Sequence, residues 1–147
     1  MKKLLLLGLL TPLIGCQEWL VITAYEQDRK VYFTNEEVIE NCADKELFIH
    51  HISVVEDCEN CDRWFVTRDT FPTFGDSTAS QFPIEYGESI PDALVKVAAQ
   101  DLKTGNYNVS AELSCLSSDD GFGATLIGAF HLTVKADGGL EVRNIEE

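Results

Sequence analysis

The segment from Leu102 to Cys115 constrains the fold more than any other part of the sequence. From Tyr107 onward, an apolar side chain at every second position alternates with Asn, Ser or Glu. Successive side chains of a β-strand point to opposite faces of its sheet, so this pattern predicts a strand with one face in the core and the other in solvent. The predicted core positions are Tyr107, Val109, Ala111, Leu113 and Cys115.

Other β-rich segments follow at roughly regular spacing, so we expect about seven or eight strands. Asn35–Glu40 is either a short helical turn or a solvated loop, and Asp92–Ala99 fits helix or strand, with strand favoured. In the longest segment, alternation places His50 and His51 on opposite faces of the sheet. The remaining predicted strands are Trp19–Tyr25, Lys30–Thr34, Glu46–Glu56, Arg63–Arg68, a short edge strand at Gln81–Tyr86, Phe130–Val134 and Leu140–Ile145.

The segment Leu102–Val109, with its turn at Leu102–Gly105 and Tyr107, resembles the turn before the F strand of immunoglobulin-like sandwiches. In that family a tyrosine hydroxyl bonds to the backbone of the turn between the two sheets. Val109 stands where antibody domains have a cysteine, so the resemblance is to the wider class of sandwiches. It implies an all-β, antiparallel, immunoglobulin-like or transthyretin-like β-sandwich, with Tyr107 buried and bonded to this turn. Phe130, Leu132 and Val134 are expected in the core.

The N-terminus has the features of a secretory signal peptide. Lys2 and Lys3 precede the apolar run Leu4–Ile14, which is about half as long as a membrane-spanning helix. Leu13-Ile14-Gly15-Cys16 resembles the lipobox of bacterial lipoproteins, in which the cysteine is lipidated and the chain is cleaved just before it. The resemblance implies a signal peptide at 1–15, a lipid on Cys16, a tether at 16–18 and a β-sandwich domain at 19–147. Gln17 in place of Asp favours the outer membrane, with the domain facing the periplasm.

The other cysteines indicate disulfides. An even number of them in an exported chain predicts two bridges, and three pairings are open. The acidic flanks of the C-x-x-C segment raise thiol pKa values, which disfavours a redox role. Zinc is disfavoured because a second C-x-x-C or H-x3-H pair is missing. The disulfide candidates are Cys42, Cys58, Cys61 and Cys115.

The chain is strongly acidic. Removal of residues 1–15 keeps all 25 acidic residues but loses Lys2 and Lys3, which takes the formal charge from -14 to -16. Such a chain repels nucleic acid and anionic lipid head groups, so its expected partners are basic proteins or cations, and plain solubility is the alternative explanation. If the acidic loops gather at one end of the fold, they form the binding surface. The candidate residues are Glu56, Asp57, Glu59, Asp62, Glu85, Glu88, Asp119 and Asp120.

Catalytic and nucleotide-binding motifs are missing from the sequence, so we expect neither an enzyme nor a cofactor. No metal is expected either, because Asp119 and Asp120 lack the ligand spacing of an EF-hand. A lipobox, one β-rich domain and a late Gly-x-Tyr strand together resemble type VI secretion immunity lipoproteins of the periplasm. The resemblance implies a lipoprotein that binds and neutralises a basic exported toxin or hydrolase. The alternatives are a structural lipoprotein of an envelope or secretion assembly, and a solute or metal binder.

Overall fold

The computed structural model describes residues 18–75 and 79–146, and these residues form ten strands and one short helix. The predicted signal peptide and the lipidation site Cys16 lie outside the described residues. The elements are β1 (Glu18–Val21), β2 (Thr23–Gln27), β3 (Lys30–Thr34), α1 (Glu36–Asn41), β4 (Glu46–Glu56), β5 (Asp62–Thr67), β6 (Ile84–Glu85), β7 (Leu94–Val97), β8 (Gly105–Leu116), β9 (Gly121–Val134) and β10 (Leu140–Ile145).

The strands form a sandwich-like arrangement of two sheets, which confirms the predicted all-β class. The main sheet has seven strands in the order β1-β9-β8-β4-β5-β7, and β10 pairs with β9 on the same side as β1. The small sheet has three strands in the order β2-β3-β6. We call the side of the main sheet that packs on the small sheet and α1 its core face, and the opposite side its outer face.

Aromatic rings join the two sheets in the core. Phe33 of the small sheet lies with its ring centroid 5.8 Å from that of Phe130 in β9. Phe130 in turn stacks on Tyr107 of β8 at 5.3 Å. All five core positions predicted for β8 are buried. Alternation alone therefore identified the core face of this strand.

The predicted strand Trp19–Tyr25 is wrong at one point, because the chain changes sheets at Ile22. β1 pairs in parallel with β9, whereas β2 pairs with β3 in the small sheet. Ile22 crosses directly over Gly128, where an added Cβ would overlap the Ile22 carbonyl oxygen. Only glycine leaves room for this crossing. The break at Ile22 divides one predicted strand into β1 and β2, and the pairing of β1 with β9 is parallel.

Asn144 ties the end of β10 to the small sheet. Its Oδ1 accepts a hydrogen bond from the Ala24 backbone N–H (2.8 Å), and its Nδ2 donates to the Ala24 carbonyl oxygen (2.9 Å). The side-chain amide thus satisfies both backbone groups of a β2 residue, as a neighbouring strand would.

The predicted tyrosine contact is confirmed. Tyr107 is 1% exposed, and its hydroxyl donates to the Lys103 carbonyl oxygen (2.7 Å) while accepting from the Lys103 N–H (3.0 Å). Phe130 and Leu132 are fully buried as expected. The prediction for Val134 is wrong, because this residue is 38% exposed. β8 begins opposite Leu132, so it does not extend alongside Val134.

A β-bulge overturns the predicted opposite orientation of His50 and His51. The pairing of β4 with β8 shifts between Ile49 and His51, leaving His50 as the extra residue. His50 Nε2 lies 2.7 Å from Ser114 Oγ, and His51 is opposite Glu112, so both face the outer side. The extra residue reverses the alternation of inward- and outward-facing side chains along β4, so Ile52 and Val54 face the core.

The shorter predicted elements are present. Asn35–Glu40 is helical: α1 begins after Asn35, whose side chain accepts a hydrogen bond from the Val38 N–H (2.8 Å). β7 lies within Asp92–Ala99, and β6 occupies two residues at the edge of the small sheet. β9 starts at Gly121, nine residues before the predicted start at Phe130. Its first half contains Gly121, Gly123 and Ala124, residue types that are depleted in strands, and these obscured the strand pattern.

Two disulfides are present, and their pairing resolves the three alternatives. Cys42 at the end of α1 is bonded to Cys115 of β8, and Cys58 is bonded to Cys61 within the β4–β5 turn. The first fastens the helix to the core face of the main sheet. The second closes a turn at the sheet's opposite end.

Tyr107→Phe is expected to lower the free energy of unfolding by about 1–2 kcal/mol, because it leaves both backbone groups of Lys103 without their partner. Urea denaturation measures the change. Tyr25→Phe is the matched control, since it removes the same atom from a ring that stacks on Tyr32. Equal losses in the two variants would contradict a special role for the Tyr107 hydroxyl.

The two disulfides are expected to contribute unequally. They close loops with sequence separations of 73 and 3 residues. The chain-entropy model therefore assigns about 4 kcal/mol to Cys42–Cys115 and about 2 kcal/mol to Cys58–Cys61. Denaturation of the two double Cys→Ala variants tests the order. A larger loss on removing Cys58–Cys61 would refute this account.

Candidate functional site

The acidic candidates do not gather at one end of the fold. β4 and β8 are antiparallel, with Glu46 opposite Leu116 and Glu56 opposite Tyr107. The turn after β4 therefore lies at one end of the main sheet, and the turn after β8 lies at the other. β4 has 11 residues, so these ends are about 30 Å apart. We call them the β4–β5 end and the α1 end. Glu56, Asp57, Glu59 and Asp62 lie at the first, and Asp119 and Asp120 lie at the second.

At the β4–β5 end, the carboxylate of Glu56 is paired. Nε of Arg63 donates to Glu56 Oε2 (2.8 Å), and Nη2 of the same guanidinium donates to the same oxygen. Arg63 also donates from Nη1 to Gln100 Oε1 (3.0 Å). Charge-assisted bonds of this kind fix a side chain and cancel much of its field. Glu56 is therefore a structural residue of this end.

Glu85 and Glu88 are also engaged within the fold. Glu85 forms an ion pair with Lys30 (2.8 Å) on the neighbouring strand β3. Glu88 Oε1 accepts a hydrogen bond from the Glu85 N–H (2.8 Å), and burial raises the pKa of the Glu88 carboxyl. These two acids stabilise the turn after β6.

Tyr86 links this turn to the main sheet. Its hydroxyl lies 2.9 Å from the Arg63 carbonyl oxygen and 2.8 Å from that of Gln100, so its proton is shared between two acceptors. The Tyr86 ring packs edge-on against Trp64 at 5.5 Å. Burial raises the pKa of Tyr86 to about 12. The hydroxyl therefore stays protonated at ordinary pH and acts as a fixed donor.

The α1 end carries acidic residues that the sequence analysis missed. The exposed carboxylates of α1 and of the turn after it lie close to Asp119 and Asp120, because the Cys42–Cys115 bridge and the Lys45–Asp120 ion pair (3.6 Å) join the two segments. Lys45 lies among these carboxylates and also donates to the Asn41 carbonyl oxygen (3.0 Å). We call this group the α1 acidic surface. It consists of Glu36, Glu37, Glu40, Asp44, Asp119 and Asp120, all exposed.

A signal for this surface was present in the sequence. Asn35 followed by two glutamates is typical of a helix N-terminus, where acidic side chains are stabilised by the helix dipole. The sequence does not reveal that Cys42 pairs with Cys115. Without that pairing, the helix could not be placed beside the β8–β9 turn.

The β8–β9 turn is held by its own hydrogen bonds. The Asp120 N–H donates to Ser117 Oγ (3.1 Å), and Asp120 Oδ1 accepts from the Gly121 N–H (2.8 Å). Asp119 Oδ1 is within 3.4 Å of the Ser117 hydroxyl. The turn therefore presents its carboxylates in a defined arrangement.

One group of potential metal ligands occurs in the described part of the chain. Ligand atoms of Glu56, Cys58 and Cys61 lie within 4.8 Å of one another. The two sulfurs are bonded to each other, however, and Glu56 is paired with Arg63. Thiolates bind metals, whereas a disulfide does not, so these residues could coordinate an ion only after reduction.

The outer face of the main sheet contrasts with its ends. In β8 and β9, which are described in full, Glu112 is the only carboxylate on this face. A groove of about 730 Å³ lies where the ends of β1 and β10 meet along β9. Its lining is mainly apolar or uncharged and includes Val21, Thr23, Val55, Asn108, Ile127 and Ile145.

Within residues 18–75 and 79–146, α1 is the one helix, and it is neither long nor apolar enough to span a bilayer. No model of a known protein family matches this chain, and no curated protein and no solved structure matches it either. The candidate surfaces are therefore defined by their geometry and charge.

Proposed function

We propose that the protein is an outer-membrane lipoprotein, attached through Cys16 and facing the periplasm, that captures and neutralises a basic exported protein as immunity proteins do. The α1 acidic surface is the observation that supports this proposal most. It places six exposed carboxylates around a single ammonium, at one end of a domain in which β8 and β9 carry only Glu112 as a carboxylate on the outer face.

The α1 acidic surface suits capture better than the β4–β5 end does. At the β4–β5 end, Arg63 neutralises Glu56, and Lys103 follows Asp101 in the neighbouring segment. At the α1 end, one lysine offsets a larger group of acids. The uncompensated field is therefore stronger at the α1 end.

The rigidity of the α1 acidic surface also favours capture of a partner. The helix is fastened by Cys42–Cys115 and by buried Val38, and the β8–β9 turn is closed by its own hydrogen bonds. A partner then binds carboxylates that are already in place, which lowers the entropic cost of association. Clustered charge of one sign also raises the association rate of an oppositely charged partner. Fast capture is what an inhibitor of a harmful enzyme requires.

Reversing four charges of the α1 acidic surface is expected to slow association with a basic partner by about 10-fold or more at low salt, and by less at high salt, because exposed charges are screened. The variant carries Glu37→Lys, Glu40→Lys, Asp44→Lys and Asp119→Lys. The measurement is the association rate with the product of the neighbouring gene across a salt series.

A matched control variant separates location from total charge. Asp57→Lys, Glu59→Lys, Asp62→Lys and Asp101→Lys change the net charge by the same amount at the β4–β5 end, and all four residues are exposed. We expect a smaller loss of rate in this variant. If both variants lose rate equally, net charge alone governs association and the α1 acidic surface is not the site.

Lipidation is tested separately. A palmitate analogue fed to cells is expected to label the protein, and Cys16→Ala is expected to abolish the label. Cys58→Ala is the control, since this cysteine is bonded to Cys61 in the folded domain. Labelling that persists in Cys16→Ala would contradict an anchor at this position.

A further inference from the structure

The outer face of β1 exposes large apolar side chains. Trp19 is 69% exposed and Val21 is 66% exposed, while Leu20 between them packs against the core. Ile127 of β9, the pairing partner of Val21, is 43% exposed. With Ile145 on the rim of the adjacent groove, these residues form one apolar patch. We call it the β1 patch: Trp19, Val21, Ile127 and Ile145.

The patch lies close to the proposed anchor along the chain. One residue, Gln17, separates Cys16 from Glu18, the first residue of β1. Three residue steps lead from Cys16 to Trp19, and a fully extended chain covers about 10 Å over that length. A lipid on Cys16 therefore keeps the Trp19 backbone within about 10 Å of the bilayer surface.

The distribution of charge also indicates which side of the domain faces the bilayer. Phospholipid head groups include anionic species, which repel carboxylates. On the outer face, β8 and β9 carry Glu112 alone, Glu141 of β10 is paired with Lys135 (3.6 Å), and Glu146 lines the groove. The α1 acidic surface lies on the core side, where Val38 and Cys42 are buried. The outer face is thus the side of this acidic protein that can approach a membrane with the least repulsion.

We propose that the β1 patch contacts the phospholipid bilayer, so that the domain lies on its outer face beside the anchor and presents α1 to the periplasm. The proposal rests on the lipid anchor of the proposed function and adds the orientation of the domain. Tryptophan favours the membrane interface, since its ring is apolar and its N–H is polar. Because the anchor supplies a high effective concentration, a small patch is sufficient.

This orientation explains how one small domain could serve two surfaces at once. The apolar patch would be covered by lipid, and the α1 acidic surface would stay accessible to a partner. A lipid anchor alone would let the domain rotate about its tether. Contact through Trp19 and Val21 would restrict that rotation.

Tryptophan fluorescence can test the proposal on the full lipidated chain. The sequence has two tryptophans, and Trp64 is 2% exposed, so it serves as an internal reference. The protein is reconstituted in vesicles of phosphatidylethanolamine and phosphatidylglycerol that contain a lipid brominated near the head group. Subtracting the spectrum of Trp19→Phe isolates the emission of Trp19. We expect a blue shift and a loss of Trp19 emission, with Trp64 emission unchanged.

Two valines provide a matched pair of variants. Val21 on β1 and Val95 on β7 are 66% and 62% exposed at opposite edges of the main sheet. We expect Val21→Asp to reduce quenching of Trp19 by the brominated lipid, and Val95→Asp to leave it unchanged. Unaltered Trp64 emission in both variants would show that the fold is intact.

The outcomes separate the anchor from the orientation. In protein that carries the palmitate label, Trp19 emission that the brominated lipid does not quench would overturn the proposal while leaving the anchor in place. Protection of Trp19 from aqueous iodide without quenching by the lipid would mean that a protein covers the patch, and would also overturn it. If the chain carries no label, both the anchor and the bilayer contact fail.

Discussion

The close approach of Ile22 to Gly128 determines how the two sheets are connected. The chain leaves the main sheet after β1 and enters the small sheet at β2, and it can do so only where β9 has no side chain on its core face. The crossing places β1 parallel to β9 and leaves the outer side of Trp19 and Val21 uncovered. Asn144 then closes the same corner by bonding to Ala24. The groove, the exposed patch and the position of β1 all follow from this corner.

The Cys42–Cys115 bridge plays a comparable part at the α1 end. A helix of six residues is too short to be stable alone, and Val38 is its only buried residue. The disulfide supplies the missing attachment and positions the helix beside the β8–β9 turn. Acids that are far apart in sequence become one surface as a result. The tertiary bond thus brings six exposed carboxylates together on one surface.

Charge and apolar surface are kept apart in this protein. Most carboxylates lie on α1, on turns and at the sheet ends, where they remain hydrated, and two partly buried ones, Glu56 and Glu85, are paired with Arg63 and Lys30. The outer face of β8 and β9 is almost free of charge. Such separation allows the two surfaces to contact different environments, a basic partner on one side and a lipid surface on the other in the arrangement proposed above.

The sequence by itself determined the all-β class, the core face of β8, the buried Tyr107 with its bonded hydroxyl, and the presence of disulfide-forming cysteines. These features depend on local alternation or on a short turn motif, so neighbouring residues are enough to define them. Only the tertiary structure decided the break at Ile22, the bulge at His50, the extension of β9 to Gly121 and the pairing of the cysteines. Each depends on contacts between residues distant in sequence. The same reason separates the acidic candidates into two ends, because antiparallel pairing of β4 with β8 places their turns about 30 Å apart, however similar those turns look in sequence.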